Sequence, residues 1–174
     1  MDELEINKVN FMKTIYSLLT IIILFSCSKK DNSKKLFFDS NSSINVKKED
    51  SKNTVLNVNS DDSMLYDKNV LRAKAGKKII LTLNHTGKLP KNIMGHNLVL
   101  LKMNVDVNVF SKLALEFKNN DYIPLNEDFI AHTKMLGGGQ SDTISFTINE
   151  PGEYKYVCTF PGHYQMMQGV LIIY

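Results

Sequence analysis

The chain has 174 residues, enough for one ordinary domain and additional segments. A hydrophobic content of 43% with 22% charged side chains fits a globular chain, and a net charge of +3 is too small to argue for nucleic acid as a partner. The surplus also belongs to a tail: from Thr54 onward 12 basic side chains stand against 11 acidic, whereas residues 28–53 hold 7 basic and 4 acidic.

Residues 12–26 begin Met-Lys-Thr and run through Leu18-Leu19-Thr20-Ile21-Ile22-Ile23-Leu24. A Lys ahead of a short apolar run has the proportions of a secretory signal, and it is too short to span a bilayer as a mature helix. Translation starting at Met12 would make the first eleven residues superfluous. The run ends Leu24-Phe25-Ser26-Cys27, which resembles the lipobox of bacterial lipoproteins. That resemblance implies cleavage before Cys27 and a lipid on its thiol, with each buried CH₂ of the acyl chains contributing about 0.8 kcal/mol of membrane affinity. Residues 28–53, rich in Ser, Asn, Lys and Asp, cannot bury enough apolar surface to offset their ordering entropy. They read as a polar tether with a reach of roughly 25–30 Å. The expected division is therefore 1–26 signal peptide, 27–53 lipidated Cys and flexible linker, and 54–174 folded domain.

From Thr54 the pattern becomes that of short strands. Leu56 and Val58 alternate with Val55, Asn57 and Asn59. Runs at 70–75, 78–84, 97–103, 141–148, 153–158 and 169–174 are β-rich and punctuated by Gly, Pro and Asn. This predicts an all-β antiparallel sandwich. Residues 105–119 are the exception: Val109, Leu113 and Phe117 recur at helical spacing, which predicts a helical insertion between strands.

Chemistry concentrates in Cys158-Thr159-Phe160-Pro161-Gly162-His163-Tyr164-Gln165-Met166-Met167. A thiolate, an imidazole and a thioether in one loop favour copper, since two His, one Cys and a weak distant Met make a blue-copper electron-transfer site. The second His comes from Met94-Gly95-His96-Asn97. Cys158 closes a strand, Pro161-Gly162 turns the chain back, and His96 opens another strand. Because strand neighbours point to opposite faces, only one of Met166 and Met167 can approach the metal, and spacing leaves the choice open. A structural zinc site would need four Cys/His ligands, and a Cys158–His163 nucleophile–base pair would need an exposed reactive thiol. Both cysteines being otherwise engaged, no disulfide is expected.

Over Met64 to Tyr174 the chain resembles the azurin family of cupredoxins. The motifs that carry the likeness are Asn84-His85-Thr86-Gly87-Lys88-Leu89-Pro90-Lys91-Asn92-Ile93-Met94-Gly95-His96-Asn97, then Ile130-Ala131-His132-Thr133-Lys134, then Cys158 to Gly169. The resemblance implies a Greek-key β-sandwich holding one type 1 copper ion through His96, Cys158, His163 and Met167, with the Gly95 carbonyl as a long axial contact. It implies that Asn97 ties the ligand loops together and that the backbone N–H groups of Asn97 and Phe160 donate to the sulfur. It makes His85 a partly buried neighbour of the site, with a modest pH dependence of potential, the alternative being simply a packed histidine; His132 is expected at the surface. Three departures stand out: no cysteines for the family's usual disulfide, Leu98 where a buried aromatic is usual, and Tyr164 and Gln165 where smaller residues are usual.

The expected function is single-electron transport, not enzymatic catalysis, with electrons passing through the His163 ring edge. Leu89, Met94, Phe160, Pro161 and Met166 would form an apolar surface for brief docking with cytochrome-type or copper-enzyme-type redox proteins of the cell envelope. The expected location is the periplasm, on the membrane through Cys27, and specifically the outer membrane of a Gram-negative bacterium. The rival reading is a copper-storage or copper-delivery lipoprotein without redox turnover.

Overall fold

The computed structural model describes residues 52–174. The expected signal segment 1–26, Cys27 and nearly all of the expected linker lie outside the described residues. Among the described residues eight strands form two sheets: β1 (Asn53–Ser60), β2 (Val70–Ala73), β3 (Lys78–His85), β4 (Val99–Leu101), β5 (Phe129–His132), β6 (Ser141–Thr147), β7 (Gly152–Val157) and β8 (Gln168–Ile173). One sheet has the order β1-β3-β6 and the other β2-β8-β7-β4-β5. Two pairs, β1 with β3 and β2 with β8, are parallel, so the sandwich is mixed where alternation alone led us to expect antiparallel strands throughout.

Alternation builds the core. In β3, Ile79, Leu81, Leu83 and His85 are buried while the residues between them face outward, so the period of two that fills the core also delivers His85 inside it. These side chains meet Leu98, Leu100, Tyr154, Tyr156, Leu171 and Ile173 from the five-stranded sheet. Each such burial contributes roughly 1.5–3 kcal/mol. Strand β4, with Leu98 just before it, is apolar on both faces for a reason: Leu98 and Leu100 enter this core, while Val99 and Leu101 join Phe110, Ile123 and Val157 in a second cluster.

That second cluster is the seat of the helical insertion, α2 (Val107–Ala114), which continues into a 3-10 turn over Leu115–Asn120. (A single four-residue turn, α1, spans Lys91–Met94.) The buried face of α2 carries Phe110, Ser111 and Ala114, and Val109 is 67% exposed. The helix is thus rotated from the Val109/Leu113/Phe117 stripe. Its start is set by Asp106, whose side chain accepts from the Val109 N–H at 2.9 Å; the α-helical path ends at Ala114, and a kink at Phe117 interrupts the 3-10 segment that follows.

Candidate metal centre

The pairing of β4 with β7 sets Val99 opposite Val157 and Leu100 opposite Tyr156. Continued beyond the strand ends, that antiparallel register brings Asn97 across from Thr159. Two buried hydrogen bonds lock the pair: Asn97 Nδ2 donates to Thr159 Oγ1 at 2.8 Å, and the Thr159 N–H donates to Asn97 Oδ1 at 2.9 Å. The two segments that carry the sequence's candidate ligands are therefore stapled beside those residues. His96 precedes β4 by three positions and is held instead by an isolated bridge to Leu136.

After Cys158 the chain turns tightly. Gly162 adopts φ +84, a conformation that favours glycine. The Met166 and Met167 N–H groups both donate to the His163 carbonyl, at 3.0 and 2.8 Å, and the Cys158 N–H donates to the Met167 carbonyl at 2.9 Å, closing the loop. The methionines thus sit in a turn before β8, not on a strand. The turn still separates them, leaving Met167 fully buried and Met166 58% exposed.

His96, Cys158 and His163 are all buried, and their ligand atoms lie within 4.8 Å of one another. Cys158 Sγ is 3.8 Å from His163 Nδ1 and 3.9 Å from the Gly95 carbonyl. His96 Nε2 faces the Asp61 carbonyl at 2.8 Å. A carbonyl can only accept, so the ring proton resides on Nε2 and the lone pair on Nδ1. That Nδ1 is buried and has no hydrogen-bond partner. An unpaired buried acceptor beside a thiol and a second imidazole is the donor set of a soft metal ion, and it fits copper.

The surroundings fit as well. A Cβ on Gly95 would stand 2.5 Å from the Lys91 carbonyl and 2.8 Å from the Phe160 ring, so only glycine brings this carbonyl so near the sulfur. Burial pushes the Cys158 thiol up to about 11, opposed by backbone N–H donation from Asn97 and Phe160. Burial lowers His163 to about 4, with further lowering from His96 and His85, and burial is also the main cause of the downward shift of His96. Both imidazoles are thereby kept neutral, as ligands must be. His85, 1% exposed, stacks 4.3 Å from His96; its Nδ1 accepts from the Gly87 N–H and its Nε2 faces the Met94 carbonyl. His132 is exposed, its ring edge-on to Phe129 at 5.4 Å.

Around the loop, Leu89, Pro161 and Met166 are exposed, and Met94 and Phe160 are half-buried. Sequence reasoning missed three contributors. Ile93 adds a 58% exposed apolar side chain on α1. Tyr122 meets Phe160 edge-on at 5.8 Å. Asp61 acts through its main chain, which no residue type announces.

The family described as copper binding proteins, plastocyanin/azurin family, matches residues 52–174. The chain belongs to this plastocyanin/azurin family. An azurin of Alcaligenes faecalis is 36% identical over 121 residues, covering 67% of this chain and 94% of its own. The outer membrane protein H.8 of Neisseria meningitidis serogroup B is 39% identical over 121 residues, covering 67% of this chain and 66% of its own. Among solved structures, dithionite-reduced auracyanin from Roseiflexus castenholzii matches with a TM-score of 0.64 at 34% identity, over 70% of this chain and 97% of that one. The fold is the cupredoxin sandwich and the cofactor of the family is copper.

Proposed function

We propose that this chain is a lipid-anchored blue-copper electron carrier of the cell envelope. The observation that carries this reading is the bare, buried Nδ1 of His96 facing a buried thiol and a second neutral imidazole. His96, Cys158 and His163 would hold the ion as its strong ligands, with Met167 and the Gly95 carbonyl as weaker ones. Bound there, copper supplies a one-electron couple in which the oxidation of a donor protein is matched by reduction of Cu(II) to Cu(I).

The chain's own residues do the rest. The Asn97–Thr159 staple and the Asp61 carbonyl hold the ligands in one arrangement, so little reorganisation opposes transfer. The N–H groups of Asn97 and Phe160 stabilise charge on the sulfur, which tunes the potential. His163, at 4% exposure, is the least buried of the three strong ligands and lies 4.7 Å from the Phe160 ring. Leu89, Met94, Phe160, Pro161 and Met166 exclude water around it and offer the small apolar face a transient redox partner needs. The azurin and H.8 relatives support a periplasmic or outer-membrane-associated location, and the Leu24–Cys27 motif supports attachment through Cys27.

Copper-loaded protein should be blue, and Cys158→Ser should be colourless. Stopped-flow mixing of the reduced protein with an oxidised c-type cytochrome tests the carrier role. Electron exchange faster than copper loss is the expected result. Copper transfer outpacing electron exchange would instead assign the chain to metal storage or delivery.

A further inference from the structure

Between β1 and β2 the chain makes a loop, residues 61–69, of which the copper site uses one carbonyl, that of Asp61 on His96 Nε2. Five residues on, Tyr66 turns inward. Its hydroxyl donates to the Asn97 carbonyl, and its ring packs 5.6 Å from that of Tyr156. The main chain beside it is pinned to β1: the Asp67 N–H donates to the Asn59 carbonyl at 2.9 Å, and the Asp67 carboxylate accepts from Asn59 N–H and Nδ2 at 2.7 and 2.8 Å. One loop therefore grips both members of the His96-Asn97 pair, His96 through Asp61 and Asn97 through Tyr66.

Packing against Tyr156 asks only for an aromatic ring. A buried phenol costs free energy unless its O–H is paired. Here the partner is the carbonyl of the residue whose side chain clamps Thr159 and whose N–H faces the Cys158 sulfur. We propose that Tyr66 is a positioning residue of the metal centre, a role that rests on copper binding at His96 and Cys158. Its hydroxyl fixes the backbone of Asn97, and it seats the loop so that the Asp61 carbonyl stays on Nε2 and His96 Nδ1 stays aimed at the sulfur.

The test compares copper-loaded Tyr66→Phe with Tyr154→Phe. Tyr154 donates to the Glu150 carbonyl at 2.9 Å and belongs to the same core cluster, but stands four residues before Cys158 on β7. Each variant loses one phenol–carbonyl bond. Only Tyr66→Phe should move the thiolate-to-copper absorption band and the copper hyperfine splitting, and it should release copper to a chelator about 10-fold faster. An unchanged band, splitting and release rate in Tyr66→Phe would overturn the proposal, as would equal changes in Tyr154→Phe. Should Tyr66→Phe fail to fold, Asp67→Ala loosens the same turn from β1 and must also speed release; unaltered release there is equally fatal. A wild-type protein that stays colourless with copper would instead sink the copper site itself, a result read before any variant is made.

Discussion

Asn97→Ala removes the side chain that joins the two ligand segments, and its cost can be worked from the geometry. Two buried hydrogen bonds vanish, and the Thr159 N–H and hydroxyl lose their partners. A net loss of about 0.5–1.5 kcal/mol per bond, plus the penalty of a stranded buried donor, totals about 2–4 kcal/mol. For a domain of this size that lowers Tm by roughly 8–15 °C. Thr159→Ala removes only the hydroxyl bond and should cost about half as much. Urea unfolding of the copper-free protein, followed by tyrosine fluorescence because the chain has no Trp, gives both values. The double variant should then show a coupling of about 1–2 kcal/mol. Strictly additive effects, or an Asn97→Ala protein within 1 kcal/mol of wild type, would refute the staple.

Gly95→Ala places a methyl 2.5 Å from the Lys91 carbonyl; it should cost about 1–3 kcal/mol and alter the visible spectrum, and a wild-type spectrum would contradict the close approach. With the thiol pushed up to about 11 and His163 down to about 4, copper uptake at pH 7 should release about one proton per ion in an unbuffered titration; a zero count would mean the thiol is already ionised. Because His163 has its folded value below the unfolded one, the unfolded chain binds more protons between pH 6.5 and 4. The copper-free protein should therefore lose stability as pH falls through that window, by at most about 3 kcal/mol, and a flat urea midpoint from pH 7 to 4.5 would rule this out. Ser111→Ala deletes a buried hydroxyl without a partner from α2 and should stabilise by about 0.5–1.5 kcal/mol in thermal unfolding; any loss of stability would show that the hydroxyl is paired.

Much of the sandwich can be read from alternation, as in Lys78–His85, where every second residue is buried. Strand direction cannot, because a period of two is the same for parallel and antiparallel neighbours, which is why the β1–β3 and β2–β8 pairs differ from expectation. Strand β5, four residues at a sheet edge with no clean alternation of burial, leaves no comparable trace. The insertion shows its helical period but not its phase: Asp106 starts the helix and turns Phe110 inward in place of Val109. At the metal centre, side-chain chemistry marks Cys158, His163 and His96, which the fold brings together. The groups that orient them, the Asp61 carbonyl and the Tyr66 hydroxyl, act from 30 or more positions away in sequence, and a main-chain acceptor carries no residue signature.

Cys158 is the only thiol among the described residues and none of it reaches solvent. An alkylating reagent can meet it only when the packing around the 158–167 loop opens. In the copper-free protein the pace of alkylation, set against that of a free thiolate, therefore reads the population of the opened form, so the sandwich carries its own gauge of how far its metal-bearing end breathes.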